Sequence, residues 1–222
     1  MNFGMASDLA DMEHDIKVES IIVRDDVASA PAHEKEKRRG IAGEFFVTKV
    51  AGAASAKGDK LEEVLRKTNK ANDWVRSMGV GLTPCSLPQT GKPSFELGEN
   101  EMEIGLGHHG EPGIEKGPLE TANEVCDRLI HDILADTELS AGDDVAILVN
   151  GLGSTTQMEL YIMFRRVEQR LNEKNIQIHR SYVGNYSTSL EMGGCSITIM
   201  KVDNELKELI DAPVNCPMYA QF

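Results

Sequence analysis

Residues 144–155, DVAILVNGLGST, decide the fold. Five residues with no polar break after Asp144 suit a strand covered on both faces, as in sheets sandwiched by helices. The glycines of Asn150–Gly151–Leu152–Gly153 then turn the chain into a helix over about 157–172. Strand, tight turn and helix in this order make a βα unit, which points to the α/β class.

Working outward from it, the helix over 119–135 has Ala122, Val125, Cys126, Leu129, Ile130, Ile133 and Leu134 on one face at i, i+3, i+4, i+7 spacing. Strands are expected at 176–184 and 195–202, with a short helix at 205–210 before a tail punctuated by proline. Upstream, MGVGLTPCSL (78–87) suggests a strand with glycines. EMEIGLG (101–107) alternates polar and apolar residues as a half-exposed strand does. The first third is expected to hold a helix at 3–13, a buried strand at 18–23, a polar loop at 24–40 and an Ala-rich helix at 41–56. A further helix follows at 59–76, capped by Asp59 and buried through Leu61, Val64, Leu65 and Trp74. The character changes near Met78, which places a domain boundary at 76–78.

Composition narrows the function. The chain has 222 residues, 41% of them hydrophobic, and a formal net charge of −13. That charge repels nucleic acid and anionic membrane surfaces. Lys35, Lys37, Arg38 and Arg39 are interrupted by Glu34 and Glu36, and are expected to form a solvated loop rather than a basic patch. No apolar run is long enough to span a bilayer. Cys85, Cys126, Cys195 and Cys216 lie far apart without a C-x-x-C pair, as free thiols in a reducing cytoplasm do.

Three segments carry candidate chemistry. None of His14, His33, His108, His109, His131 and His179 stands in a zinc-binding spacing, and no calcium loop is present, so no metal site is expected. The loop 150–155 either cradles an anion at a helix N-terminus or is simply a tight turn capped by Ser154 or Thr155. The second reading is preferred, because the loop lacks the lysine of a phosphate-binding loop. GLGHHGEPG (105–113) is the most unusual stretch: two histidines leave a strand end into a loop of glycine and proline. A neutral imidazole there acts as base or nucleophile, and Glu111 is placed to orient it. On the residues alone, exposed loop histidines without function are the preferred reading. Gly184–Asn185–Tyr186 and Gly193–Gly194 suit structural turns.

Several strings together resemble the K subunit of bacterial dihydroxyacetone kinases: MNFGMASDLA (1–10), DDVA (25–28), RRGIAG (38–43), GKPSFELGENEMEIG (91–105), HGEPG (109–113), LVNGLG (148–153), VGNYSTSLEMGG (183–194) and ITIMKVDNELKELIDAPV (197–214). The resemblance implies two α/β domains with mixed sheets flanked by helices. Residues 1–76 would be the last part of an incomplete first domain, 77–202 the second domain, and 203–222 a tail returning to the first. It also implies a mechanism: the histidine before GEPG, here His109 and not His108, adds to the ketone carbon of dihydroxyacetone as a hemiaminal.

The family pattern has a G-S-G-H-E-P segment and an aspartate before M-N-F. Neither is in this sequence, so weak turnover by this chain alone is expected, since a positioned base commonly contributes about 10²–10⁴-fold. The resemblance further implies no cofactor on this chain, with ADP and magnesium on a separate L-type nucleotide-binding subunit charged by a phosphotransferase relay. It implies a cytoplasmic homodimer without nucleic-acid or membrane partners. The alternatives are a non-catalytic dihydroxyacetone sensor acting as coactivator, or an inactive truncated remnant.

Overall fold

The computed structural model describes residues 3–14, 16–217 and 219–222. Helix α1 (Phe3–His14) is followed by extended chain and a 3-10 helix (Ala32–Lys37). Next come α2 (Glu44–Ala56), α3 (Leu61–Trp74), β1 (Val75–Thr83), β2 (Glu101–Ile104), β3 (Glu115–Pro118), α4 (Ala122–Ala135) and β4 (Asp144–Gly151). The chain continues through α5 (Gln157–Asn172), β5 (Gln177–Gly184), β6 (Gly193–Val202), α6 (Asn204–Asp211) and a terminal hairpin, β7 (Val214–Asn215) with β8 (Ala220–Gln221).

Six strands form one mixed sheet in the order β3-β2-β1-β6-β4-β5. Only β4 and β5, joined through α5, run parallel; the other neighbours are antiparallel. Alternation along the strands feeds two cores. Met78, Val80, Val145, Ile147, Val149, Cys195, Ile197 and Ile199 face α4 and α5. Ala146, Leu148, Met200 and Val202 face α2, α3 and α6. The second face also carries a buried polar strip, in which Ser77 and Thr198 share a 2.7 Å hydrogen bond. A mixed sheet with helices on both faces is the α/β architecture the sequence implies. No helix among the described residues is long and apolar enough to cross a membrane.

Three local expectations are corrected, and one strand, β3, is not anticipated. Residues 18–23 run extended but pair with no strand among the described residues, and Ile22 is 64% exposed. Their backbone is held instead by Asn72, whose amide donates to Ile22 O and accepts from Arg24 N. An apolar run without a partner edge does not make a strand. The cap of α3 is Lys60, without a side-chain bond, because Asp59 turns away to pair with Lys67. The cap of α5 is Thr156, in a capping box with Glu159, rather than Ser154 or Thr155. Finally, β3 is an edge strand of sequence EKGP, which has no apolar alternation to reveal it.

The expectation of a solvated 35–39 loop holds for the exposed Lys35 and Lys37 but is overturned at Arg38 and Arg39. The Arg38 side chain is 1% exposed and grips the 9%-exposed Asp136 at 2.7 and 2.8 Å, with Arg76 on the same carboxylate at 2.5 Å. Burial alone would raise the pKa of Asp136, but the two arginines outweigh it and hold the carboxyl below its ordinary range. A carboxyl so depressed stabilises the fold above its unfolded pKa of about 4, and that stabilisation is lost as pH falls through the folded value. Asp136→Asn leaves two buried guanidinium groups short of a counter-charge. We expect urea denaturation at neutral pH to show a loss of about 3–5 kcal/mol, and the gap to wild type to narrow in acid.

Candidate active site

The site lies at one end of the sheet, where β1 and β4 finish, β6 begins and α2 starts. Residues 105–113 leave β2 there and turn tightly. Gly107 N–H donates to Glu111 O at 3.0 Å, and Gly110 N–H donates to Gly107 O at 3.1 Å. The carboxylate of Glu111 folds back on the turn and takes two groups of one residue: the backbone N–H of His109 at 2.9 Å and its ring Nδ1 at 3.0 Å. Burial would raise Glu111, but its own backbone N–H and the two bonds from His109 prevail and keep its pKa below the ordinary value. With a proton on Nδ1 donated to that carboxylate, Nε2 retains its lone pair. The His109 side chain is 85% exposed, and Nε2 has no partner among the described residues. An oriented imidazole with an open nitrogen is the arrangement of a nucleophile.

His108 points the other way. It is partly buried, its Nδ1 lies 3.4 Å from Ser187 Oγ, and its buried Nε2 is without a partner among the described residues. Burial pushes its pKa down, so it stays neutral. Ser187 Oγ donates to Glu44 at the start of α2 at 2.7 Å. The two adjacent histidines therefore serve different surroundings.

The loop 150–155 resolves as a tight turn rather than an anion cradle. Leu152 N–H and Ser154 N–H donate to Gly194 O and Met192 O. Thr155 Oγ1 accepts from Gly194 N and donates to Gly194 O. Two of its N–H groups and the Thr155 hydroxyl are thus spent on the segment 192–194. Buried Asn150 is the residue that sequence reasoning missed. Its Oδ1 accepts from Tyr186 N and Ser187 N at 2.9 and 2.8 Å, while Nδ2 donates to Ser187 O at 2.7 Å. It shapes the turn that brings Ser187 to His108. A lone asparagine closing an apolar strand was the available signal.

No trio of His, Cys, Asp or Glu among the described residues is placed to hold a metal.

A mixed sheet with helices on both faces makes this a protein of the α/β class, and its clamped histidine lies at the strand ends, where ligands of open α/β sheets bind. The Dak1 domain family matches residues 1–218, and the chain belongs to that family. It is 45% identical to the dihydroxyacetone-binding subunit of a PTS-dependent dihydroxyacetone kinase 2 from Listeria innocua, over 99% of this chain and 65% of that protein. It is 36% identical to the corresponding subunit of the PEP-dependent kinase of Escherichia coli, over 98% of this chain and 67% of that one. Across four such bacterial subunits the chain spans 61–67% of their length. Among solved structures, a dihydroxyacetone kinase operon co-activator superposes with a TM-score of 0.86 at 32% identity, covering 95% of this chain and 65% of that one. The dihydroxyacetone kinase of C. freundii superposes with 0.83 at 29%, covering 99% and 39%.

The clamp depends on a bare glycine. A Cβ on Gly107 would sit 2.3 Å from Glu111 Oε2 and 3.0 Å from the Arg39 guanidinium. Gly107→Ala is expected to expel the Glu111 carboxylate and cost about 1–3 kcal/mol. Ring ¹⁵N shifts of His109 should then lose the Nδ1–H preference expected for wild type.

Proposed function

We propose that this chain is the dihydroxyacetone-binding part of a dihydroxyacetone (glycerone) kinase and holds the ketone on His109. The observation that carries this reading is the Glu111 clamp, which occupies Nδ1 of His109 and leaves Nε2 open. Its support from kinship is the 45% identity to a subunit named for binding this ketone.

In this reading the Nε2 lone pair adds to the carbonyl carbon, and the C=O π pair moves onto oxygen. The ring is then an imidazolium whose Nδ1–H faces the Glu111 carboxylate, which stabilises the positive charge. The Nδ1 proton leaves through Glu111 or water and the alkoxide gains one, so a neutral hemiaminal results with no net loss of atoms. A polyol has no carbonyl and cannot be caught this way, so selection rests on bond formation rather than shape alone. The bound triose then presents a fixed hydroxyl, and positioning is what phosphoryl transfer chiefly asks of a protein.

ADP and magnesium belong, in this reading, to an L-type partner subunit, and the chain works as a cytoplasmic homodimer. The division into 1–76, 77–202 and a returning tail at 203–222 is part of the same proposal. In its favour, the tail folds back on α2: Lys49 Nζ donates to Ala212 O at 2.8 Å, and the Tyr219 ring lies 5.4 Å from Phe45.

A second reading is favoured by the superposition on the operon co-activator: a sensor that captures the ketone and passes on no phosphate. Supplying an L-type subunit with its phosphoryl donor separates the two, since only the kinase subunit yields dihydroxyacetone phosphate.

Carbonyl-¹³C-labelled dihydroxyacetone added to the wild-type chain should give a protein-bound tetrahedral carbon by NMR and one added ketone by native mass spectrometry. His109→Ala should abolish both and His108→Ala should keep them. Retention of the bound species by His109→Ala contradicts the assignment.

A further inference from the structure

Arg39 lies beneath the histidine loop although it is 66 residues away from it in sequence. Its Nε donates to Asp26 Oδ2 at 2.5 Å, and its Nη2 donates to Gly105 O, the residue at which the loop leaves β2, at 2.6 Å. The backbone is held too, with Arg39 N–H donating to Ser29 Oγ and Arg39 O accepting from Asp26 N. The guanidinium is thus fixed by two acceptors that Arg serves as a fork and Lys cannot serve together. The third side of the group reaches Gly107. The point where a Gly107 side chain would begin lies 3.0 Å from Arg39 Nη1 and 2.3 Å from Glu111 Oε2. Cation and carboxylate therefore both face that glycine, without a direct ion pair between them among the described residues.

We propose that Arg39 is a positioning residue for His109, acting through Glu111 across Gly107. The inference rests on the reading of His109 given under Proposed function. A fixed cation beside the Glu111 carboxylate favours its ionised form and offsets part of its negative field at the imidazole ring. Without that cation, Glu111 and His109 share a proton more tightly. The ring is then protonated to a higher pH, and less of it has a free Nε2 pair on the acid side. The other charged groups nearby are His108 in the loop, Glu103 on β2, Lys116 on β3, and Asp25, Asp26 and Glu44 from the first third of the chain. All but Asp26 keep their partners in the Arg39 variants; Asp26 loses its guanidinium in Arg39→Gln and its carboxyl rises further, so the comparison is repeated in an Asp26→Asn background.

The test is the pH profile of ketone capture, read as the bound tetrahedral ¹³C signal, in wild type, Arg39→Gln and Arg39→Lys. Arg39→Gln should move the acid-limb midpoint up by about 0.5–1 pH unit, equivalent to roughly 3–10-fold less adduct on that limb. Arg39→Lys should keep the midpoint near that of wild type and lower capture at all pH values, since charge is retained and the fork is lost. Ring ¹⁵N shifts of His109 without ketone, read near the midpoint, should show a larger imidazolium share in Arg39→Gln, whether or not an adduct forms. If wild type captures ketone and Arg39→Gln matches its profile and its ring shifts, the inference is overturned and the capture reading stands. Equal losses in both variants with no midpoint change assign Arg39 a purely structural part and overturn it too. Absence of capture in wild type overturns the parent reading and this one together.

Discussion

Two neighbouring buried carboxylates, Asp25 and Asp26, tie the first third of the chain to the sheet. Asp25 accepts from Ile41 N and Gly43 N at 2.8 and 2.7 Å, which fixes where α2 begins and places a negative group at its positive end. Its backbone O accepts from Ser77 N at 2.7 Å, and Val27 N–H returns a bond to Ser77 O at 3.0 Å, so the segment is stitched to β1. Asp26 holds Arg39 and, through it, the start of the histidine loop. Burial raises both carboxyls, Asp26 to about 6, against the pull of Arg39 and the backbone donors. Such groups persist in a core only because every lone pair that matters is met.

From that anchor the division of labour at the sheet end follows. The first face of the sheet is almost wholly aliphatic and supplies cohesion through α4 and α5. The second face turns polar toward the strand ends, with Ser77, Thr198, Asn150 and Ser196 all buried. Ser187, set by Asn150 and bonded to Glu44 of α2, faces His108, while Glu111 clamps His109. One histidine is thereby held inward and neutral and its neighbour outward, with a single nitrogen free. Adjacent residues of one type thus acquire opposite roles from their partners alone.

Much of the architecture was legible in the residues. The apolar run of β4, the periodicity of α4 and the bounds of α5 rest on local rules, and local rules do not need the fold to be known. The HGEPG string drew attention to His109, and the spacing of Glu111 anticipated its clamp. What was not legible depends on distant partners. Residues 18–23 satisfy the pattern of a strand but not its need for an edge. Arg38 and Arg39, flanked by glutamates, have the composition of a solvated turn, yet their counter-charges lie far along the chain at Asp136 or on the other side of a loop at Asp26. The aspartate pair at 25–26 and the terminal asparagine of β4 were visible as polar residues beside apolar runs. Only the packed sheet shows that they are buried.

The account stands on the bond between His109 Nε2 and a ketone carbon. A crystal of the full chain soaked in dihydroxyacetone tests it most directly. Continuous density from that nitrogen to a tetrahedral carbon is the predicted result. A well-ordered ring at position 109 with nothing attached, while the ketone lies elsewhere or nowhere, would contradict it.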